Sequence, residues 1–179
     1  MMRAVIGTVA VLAGFAVLED SVDASTGLAG SCKAAQAYAL LPPGEQLAVR
    51  ATPTPEGAVV GMIVPREMAQ DLSTTTVTMI GSQAGWARIV VGGPDYTAID
   101  KTPRQTGWIP ADVLSVDTHL DTPTKIYSRP SLIGVELGKV QDQQFRVLGC
   151  KGEFLQVINA DKGNVWINRW CAKEEGCRG

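Results

Sequence analysis

Residues 49–53 read Val-Arg-Ala-Thr-Pro, and 77 positions later residues 126–130 read Ile-Tyr-Ser-Arg-Pro. The same spacing continues without a gap, so that Gly61 aligns with Gly138. A Pro-x-x-x-Gly-x-x-x-Gly pattern therefore occurs twice in one frame. Self-similarity at a long period indicates a folding unit that is present more than once in the chain.

Two further blocks recur in the same order. Residues 77–81 align with 145–149, and residues 86–89 align with 154–157, both at a spacing of 68. A Trp-Ile pair, which begins at Trp108 and again at Trp166, closes each copy. The spacing falls because the first copy holds two insertions, near residues 66–73 and 92–105. These blocks predict two homologous units, the second more compact than the first.

Hydrophobic residues alternate with polar ones inside each copy, at the period of a half-buried strand. Arg88 marks the outward face of the block that begins at Trp86, so Ala87 and Ile89 should point inward. The same alternation places Trp86 and Phe154 on the outward face. Residues 34–41, before the first copy, are interpreted as a helical turn or a spacer.

The composition excludes several classes of protein. The chain has 179 residues, 19% of them charged, and a net charge of −2, whereas nucleic-acid binders carry a basic surface. Hydrophobic residues make up 45%, which argues against disorder. The 19 glycines and 10 prolines indicate many turns between short strands. A single histidine, His119, removes most histidine-based catalysis and most zinc sites.

The first residues have the layout of a secretory signal peptide. Arg3 precedes an apolar run over residues 4–18, which is shorter than the roughly 20 residues of a membrane-spanning helix. We place cleavage after Ala24 and expect no stable membrane span afterwards. Export to the periplasm or cell envelope implies an oxidising compartment. The four cysteines then fit two disulfides with three possible pairings: Cys32, Cys150, Cys171 and Cys177.

Taken together, these blocks resemble the bacterial SH3-like domain, present here in tandem. The likeness is carried in the first copy by residues 49–53, Gly61, Gly85-Trp86 with Ile89, and residues 107–110, and in the second by Arg129-Pro130, Gly138, Phe154 and Trp166-Ile167. The resemblance implies an all-β chain of two small five-stranded SH3-like barrels. Members of this family sit beside cell-wall hydrolase domains or bind envelope components.

The expected domain organisation follows from the extent of the two copies. It comprises a signal peptide 1–24, a spacer 25–46, domain one 47–117, a linker 118–124, domain two 125–172 and a tail 173–179. Domain two is small enough to need packing against domain one or a disulfide. In an SH3-like barrel the turn that holds Cys150 lies near Cys171, so the resemblance implies a Cys150–Cys171 bridge and a Cys32–Cys177 bridge. Cys171–Cys177 is the rival pairing.

Trp86 and Pro110 match positions that line the peptide groove of eukaryotic SH3 domains. An outward tryptophan offers a large apolar surface with one N–H donor, which suits a recognition residue. The other groove aromatics are missing, since Val113 stands where a tyrosine is expected, so binding of proline-rich peptides is not favoured. Packing of Trp86 on a neighbouring domain or on the insertions is the alternative. Phe154 is its counterpart in the second copy.

Tyr96 lies in the insertion 92–105, and a long loop in a compact domain is either functional or mobile. It completes the candidate binding residues. His119 stands near Asp117 and Asp121 in the linker, where we expect a solvated segment and neither a metal site nor a catalytic one. No G-x-S-x-G, P-loop or H-E-x-x-H motif occurs. The sequence thus predicts a non-enzymatic binding module without cofactors.

The expected ligand is a cell-wall peptide, a cell-wall glycan or an envelope protein. A second hypothesis assigns the chain to a different class. In that case the twin domains serve as a structural spacer within an envelope complex, and Trp86 is buried at an interface.

Overall fold

The computed structural model describes residues 30–42, 44–65, 67–68 and 73–172. The predicted signal peptide 1–24 and the tail 173–179, which includes Cys177, lie outside the described residues. Within the described part, no helix is both long and apolar enough to cross a membrane.

The described chain is all-β, as predicted, and its only helical element is a 3-10 turn at Ala111–Val113. Fourteen strands form the fold, and every pair of strands runs antiparallel. Their bounds are β1 Gly30–Leu41, β2 Leu47–Arg50, β3 Val59–Ile63, β4 Glu67–Met68, β5 Ser73–Gln83, β6 Trp86–Val90, β7 Tyr96–Ala98, β8 Thr106–Pro110, β9 Leu114–Asp117, β10 Thr124–Tyr127, β11 Glu136–Val140, β12 Gln144–Lys151, β13 Phe154–Asn159 and β14 Gly163–Ile167.

The strands are connected into one sheet with the order β11-β10-β14-β13-β12-β9-β1-β5-β6-β8-β2-β3-β7, with β4 attached to β5. From the junction of β9 and β1 outward, the two halves of this order correspond strand by strand. The one exception is β7, which has no counterpart and lies at one end. The structure shows one continuous antiparallel sheet. The two separate barrels that the resemblance implies stay a prediction.

Strand register confirms the internal repeat residue by residue. Arg50 lies opposite Trp108 in the first copy, and Tyr127 lies opposite Trp166 in the second. Both members of each pair correspond by the sequence alignment. The register shifts also fall at matching places: between Val49/Arg50 and Ile126/Tyr127, and between Met79/Gly81 and Val147/Gly149. The sequence therefore encodes the same irregularities twice.

β1 occupies the middle of the sheet, where the sequence predicted a helical turn or a spacer. It pairs with β5 along most of its length and with β9 through Tyr38 and Ala39. Three of its buried side chains are alanines, and two of these, Ala37 and Ala39, are fully buried. Small side chains let elements from both copies approach this strand closely. The spacer reading is thus wrong for the described part of residues 25–46.

One hydrophobic core runs through both copies and β1. Ala87 and Ile89 are buried and Arg88 is exposed, as the alternation predicted. Leu155 and Val157 of the second copy belong to the same cluster. A 48-residue unit gains stability by burying its apolar face against a neighbour. The prediction that the second copy packs on the first is therefore confirmed.

The disulfide pairing implied by the resemblance is wrong. Cys32 of β1 is bonded to Cys150 of β12, with a Cα–Cα distance of 5.6 Å and a sequence separation of 118. This excludes both Cys150–Cys171 and Cys32–Cys177. Cys171 is also disulfide-bonded. The reason for the error is β1, because this strand in the centre of the sheet places Cys32 beside Cys150 of β12.

Candidate binding site

Trp86 opens β6 directly after the tight turn at Ala84 and Gly85, both of which have positive φ angles. Its cross-strand neighbours are Gln83 on β5 and Pro110 on β8. Trp86 and Pro110 are both half-buried, so each retains accessible surface. The structure thus brings together the two residues that the sequence singled out, on the outward face of the first copy.

The equivalent face of the second copy is closed. Phe154 is 8% exposed and packs edge-on against Tyr127, with ring centroids 5.8 Å apart. Trp166 completes this cluster, and all three side chains are buried. Phe154 does lie on the same strand face as Trp86, but other aromatic rings cover it. We therefore leave Phe154 out of the candidate binding surface.

The same three positions in the first copy are Trp86, Trp108 and Arg50, and all are half-buried. The Arg50 guanidinium donates a hydrogen bond from Nη1 to the carbonyl oxygen of Gly57, at 2.8 Å. This bond holds the loop 51–58 against β2. Arg50 stands where the second copy has Tyr127, and both tryptophans of the first copy are partly open to solvent. We call Arg50, Trp86, Trp108 and Pro110 the open aromatic face.

Part of the insertion 92–105 forms β7, which pairs with β3. β7 is the last strand in the order of the sheet, and the strands β8, β2 and β3 separate it from β6, which carries Trp86. Tyr96 is half-buried, and its hydroxyl donates to the carbonyl oxygen of Val60 at 3.3 Å. Burial raises the pKa of Tyr96, the negative charge of Asp100 raises this pKa further, and Arg104 lowers it. Tyr96 is therefore fixed by the fold, and the insertion is an ordered strand and turn.

A cleft of about 310 Å³ lies beside Tyr96, between the first residues of β5 and the end of β6. Its wall includes Asp95, whose carboxylate accepts a 2.6 Å hydrogen bond from the Thr75 hydroxyl. A second cleft, of about 490 Å³, lies at the corresponding place in the second copy, where Gln143 replaces Thr75. The first cleft is lined by both apolar and polar side chains, whereas the second is lined mostly by polar ones. The residues that line the second cleft correspond in the alignment of the copies to residues that line the first, but the alignment alone does not reveal a cleft because it does not show how the strands pack.

The residues around His119 form a network that the sequence analysis missed. The Asp117 carboxylate is buried, accepts a hydrogen bond from the Tyr38 hydroxyl, and lies 3.1 Å from His119 Nδ1. Gln144 donates to the Tyr38 oxygen at 2.8 Å. Asp117, the last residue of predicted domain one, is thus buried, whereas in the predicted linker His119 is half-buried and Asp121 is exposed. No group of three or more acidic, histidine or cysteine side chains among the described residues has the geometry of a metal site.

Comparison with known proteins adds little to this geometry. No protein-family model and no curated protein matches the sequence. Two solved structures are similar at a TM-score of 0.32 and 18% identity: NlpC2 from Trichomonas vaginalis, with 82% of this chain and 52% of that one covered, and NlpC1 from the same organism, with 79% and 47% covered. The chain spans about half the length of these proteins. Similarity at this TM-score carries no argument about function.

Proposed function

We propose that the chain is an exported, non-enzymatic binding protein of the bacterial cell envelope, in which each copy forms a small five-stranded SH3-like barrel. The ladder of each copy supports the barrel reading, since five strands recur with equal register and equal irregularities. The Cys32–Cys150 bond is compatible with an oxidising compartment. The ligand is a cell-wall component, bound in the first copy.

One observation carries the binding role. The positions that form a buried aromatic cluster in the second copy are half-open in the first. A folding unit gains stability by closing such a cluster, so its opening in one copy needs a reason outside folding. Half-exposed tryptophans beside an arginine and a proline offer apolar area and N–H donors, the composition of recognition surfaces.

The matched pair Trp86 and Phe154 tests this proposal. Purified peptidoglycan is incubated with wild-type protein, Trp86→Ala and Phe154→Ala, and the bound fraction is measured by sedimentation below the melting temperatures of all three. We expect Trp86→Ala to weaken retention about tenfold, or about 1.4 kcal/mol, and to melt close to wild type. Phe154→Ala should lose stability and keep its affinity. Equal retention of Trp86→Ala and wild type would contradict the proposal.

Glycan strands freed of their stem peptides separate the two cell-wall ligands. Retention on these strands at wild-type strength identifies the glycan as the ligand. Loss of retention, with intact peptidoglycan still bound, identifies the peptide. The melting temperature of each variant is recorded in the same buffer, so that a folding defect is not counted as a binding defect.

A structural spacer is the second candidate, and the shared sheet favours it. β1 and β9 join both copies into one body with one core, and Cys32–Cys150 ties that body together. A rigid body of this kind suits the separation of two partners at a fixed distance. The spacer predicts no retention on peptidoglycan by any variant, and crosslinks from Trp86 to an envelope protein in intact cells.

A further inference from the structure

The two ends of the sheet are unequal. β3 of the first copy is covered along its outer edge by β7, with Gly61 opposite Ala98 and Ile63 opposite Tyr96. β11 corresponds to β3, and within the described residues no strand pairs with its outer edge. An uncovered strand edge presents unpaired backbone N–H and C=O groups, which act as a template for another strand. The strand β7 of the first copy therefore has no equivalent on β11 among the described residues of the second copy.

The space above the central glycine differs in the same way. A Cβ atom added to Gly61 would collide with the ring of Tyr96. A Cβ on the equivalent Gly138 would meet only the Cδ1 atom of Ile126, at 4.0 Å, among the described atoms. Gly138 thus leaves open a slot that a tyrosine ring fills in the first copy.

An exposed apolar loop borders the open edge. Leu132, Ile133 and Val135 are 66%, 89% and 62% exposed, whereas the corresponding positions of the first copy hold Pro55, Glu56 and Ala58. Loops that face solvent usually carry polar residues, so three large apolar side chains at one loop tip are unusual. Contiguous exposed apolar groups of this kind mark interaction sites.

The charges at this edge select against self-pairing and for an acidic partner. Lys139 and Arg129 are exposed there, while Lys125 is neutralised by Glu136, with 2.8 Å between Nζ and Oε2. Two copies meeting at this edge would bring like charges together. The strand that covers β3 is flanked by Asp95 and Asp100, whose charge is opposite to that of these basic groups.

We propose that the outer edge of β11 binds an extended segment of a partner protein as an added antiparallel strand, with an aromatic residue over Gly138 and acidic residues on either side. Main-chain hydrogen bonds supply the affinity of such an added strand, and the slots for its side chains supply the specificity. This surface is separate from the open aromatic face, and it is independent of the ligand proposed there.

The chain itself supplies the probe. A fluorescent peptide with the sequence of residues 93–101, Gly-Pro-Asp-Tyr-Thr-Ala-Ile-Asp-Lys, is titrated with the full chain and followed by anisotropy. Amide chemical shifts of the labelled protein locate the binding site. We expect saturable binding with shifts at residues 136–141, and at least tenfold weaker binding of the Tyr→Ala peptide. Three results would overturn the proposal. They are equal binding of both peptides, chemical-shift changes confined to β3, and no binding at about 1 mM peptide.

Lys139→Pro is the matched protein variant. In β3 the Val60 carbonyl accepts from Ile99, and the Val64 N–H donates to Asp95, so alternate residues face β7. By equivalence the backbone N–H of Lys139 faces the open edge, and proline removes it without breaking the ladder to β10. We expect a tenfold loss of peptide binding. If Lys139→Pro does not fold, the wild-type shifts decide alone. Dimeric wild type that this variant makes monomeric would assign the edge to a second copy and overturn the proposal.

Discussion

Ser82 and the backbone of Cys150 occupy equivalent positions in the two copies, and they hydrogen-bond to each other. The Cys150 N–H donates to Ser82 Oγ at 2.9 Å, and the Ser82 hydroxyl donates to the Cys150 carbonyl oxygen at 3.2 Å. Both residues are buried. The junction between the copies is therefore made by corresponding residues, which is the arrangement found in a symmetric pair of subunits.

Ser82→Ala tests the contribution of this contact to stability. The substitution removes one group that satisfies both the N–H and the C=O of Cys150, and leaving a buried polar group unsatisfied costs about 1–3 kcal/mol. We expect the free energy of unfolding to fall by that amount in urea denaturation. Ser31→Ala, at an exposed position of β1, is the control and should stay within about 0.5 kcal/mol of wild type. Equal stability of both variants would show that water replaces the hydroxyl.

Removing the Cys32–Cys150 bond should cost more than removing a local bridge. The bond joins residues 118 positions apart, and the chain-entropy model gives about 4–5 kcal/mol for a loop of that size. We expect Cys32→Ala/Cys150→Ala to unfold at much lower urea concentration than the oxidised wild type. Reductant should then lower the urea midpoint of the wild type strongly. It should lower the midpoint of the double variant far less, because only the bond of Cys171 is left to reduce. Identical midpoints of the wild type with and without reductant would contradict the pairing.

The titration of Tyr96 should respond to its two charged neighbours in opposite directions. Burial raises the pKa of Tyr96, Asp100 raises this pKa further and Arg104 lowers it. Asp100→Asn should therefore lower the pKa of Tyr96, and Arg104→Gln should raise it. Ultraviolet absorbance near 295 nm follows the phenolate, with Tyr96→Phe identifying its contribution.

The sign for stability follows from the same pKa. A pKa that is higher in the folded state means that the folded state holds the phenolic proton more tightly than the unfolded state. The stabilisation is therefore complete below the unfolded pKa, near the ordinary tyrosine value of 10.0, and is lost as the pH rises through the folded pKa. Tyr96→Phe should flatten this alkaline decline. An unchanged alkaline profile in Tyr96→Phe would assign the decline to other groups.

Local patterns in the sequence were sufficient for the repeat and for the inward and outward faces. Ala87 and Ile89 alternate with Arg88, and this alternation survives folding because the strand has one buried face. What the sequence predicted correctly depends on neighbours that lie within a few residues.

The errors all involve contacts between distant segments. The alanine-rich strand β1 has low intrinsic preference for a sheet, and it becomes a strand because both copies pack on it. Phe154 is covered by Tyr127 and Trp166, which come from other strands. The partner of Cys32 depends on where β1 lies. None of these facts is readable from the residues that surround each position.

The network of Tyr38, Asp117 and Gln144 gives a last prediction about the junction. Tyr38 and Asp117 are both 1% exposed, and the Tyr38 hydroxyl donates to the Asp117 carboxylate. Hydrogen bonds to charged groups contribute about 1.5–3 kcal/mol, so Tyr38→Phe should lower the free energy of unfolding by that amount. Tyr127→Phe, which keeps the ring contact with Phe154, is the control and should be nearly neutral. Urea denaturation at pH 7 measures both, and a Tyr38→Phe variant as stable as the Tyr127→Phe control and the wild type would mean that ring packing, and not the bond to Asp117, stabilises Tyr38.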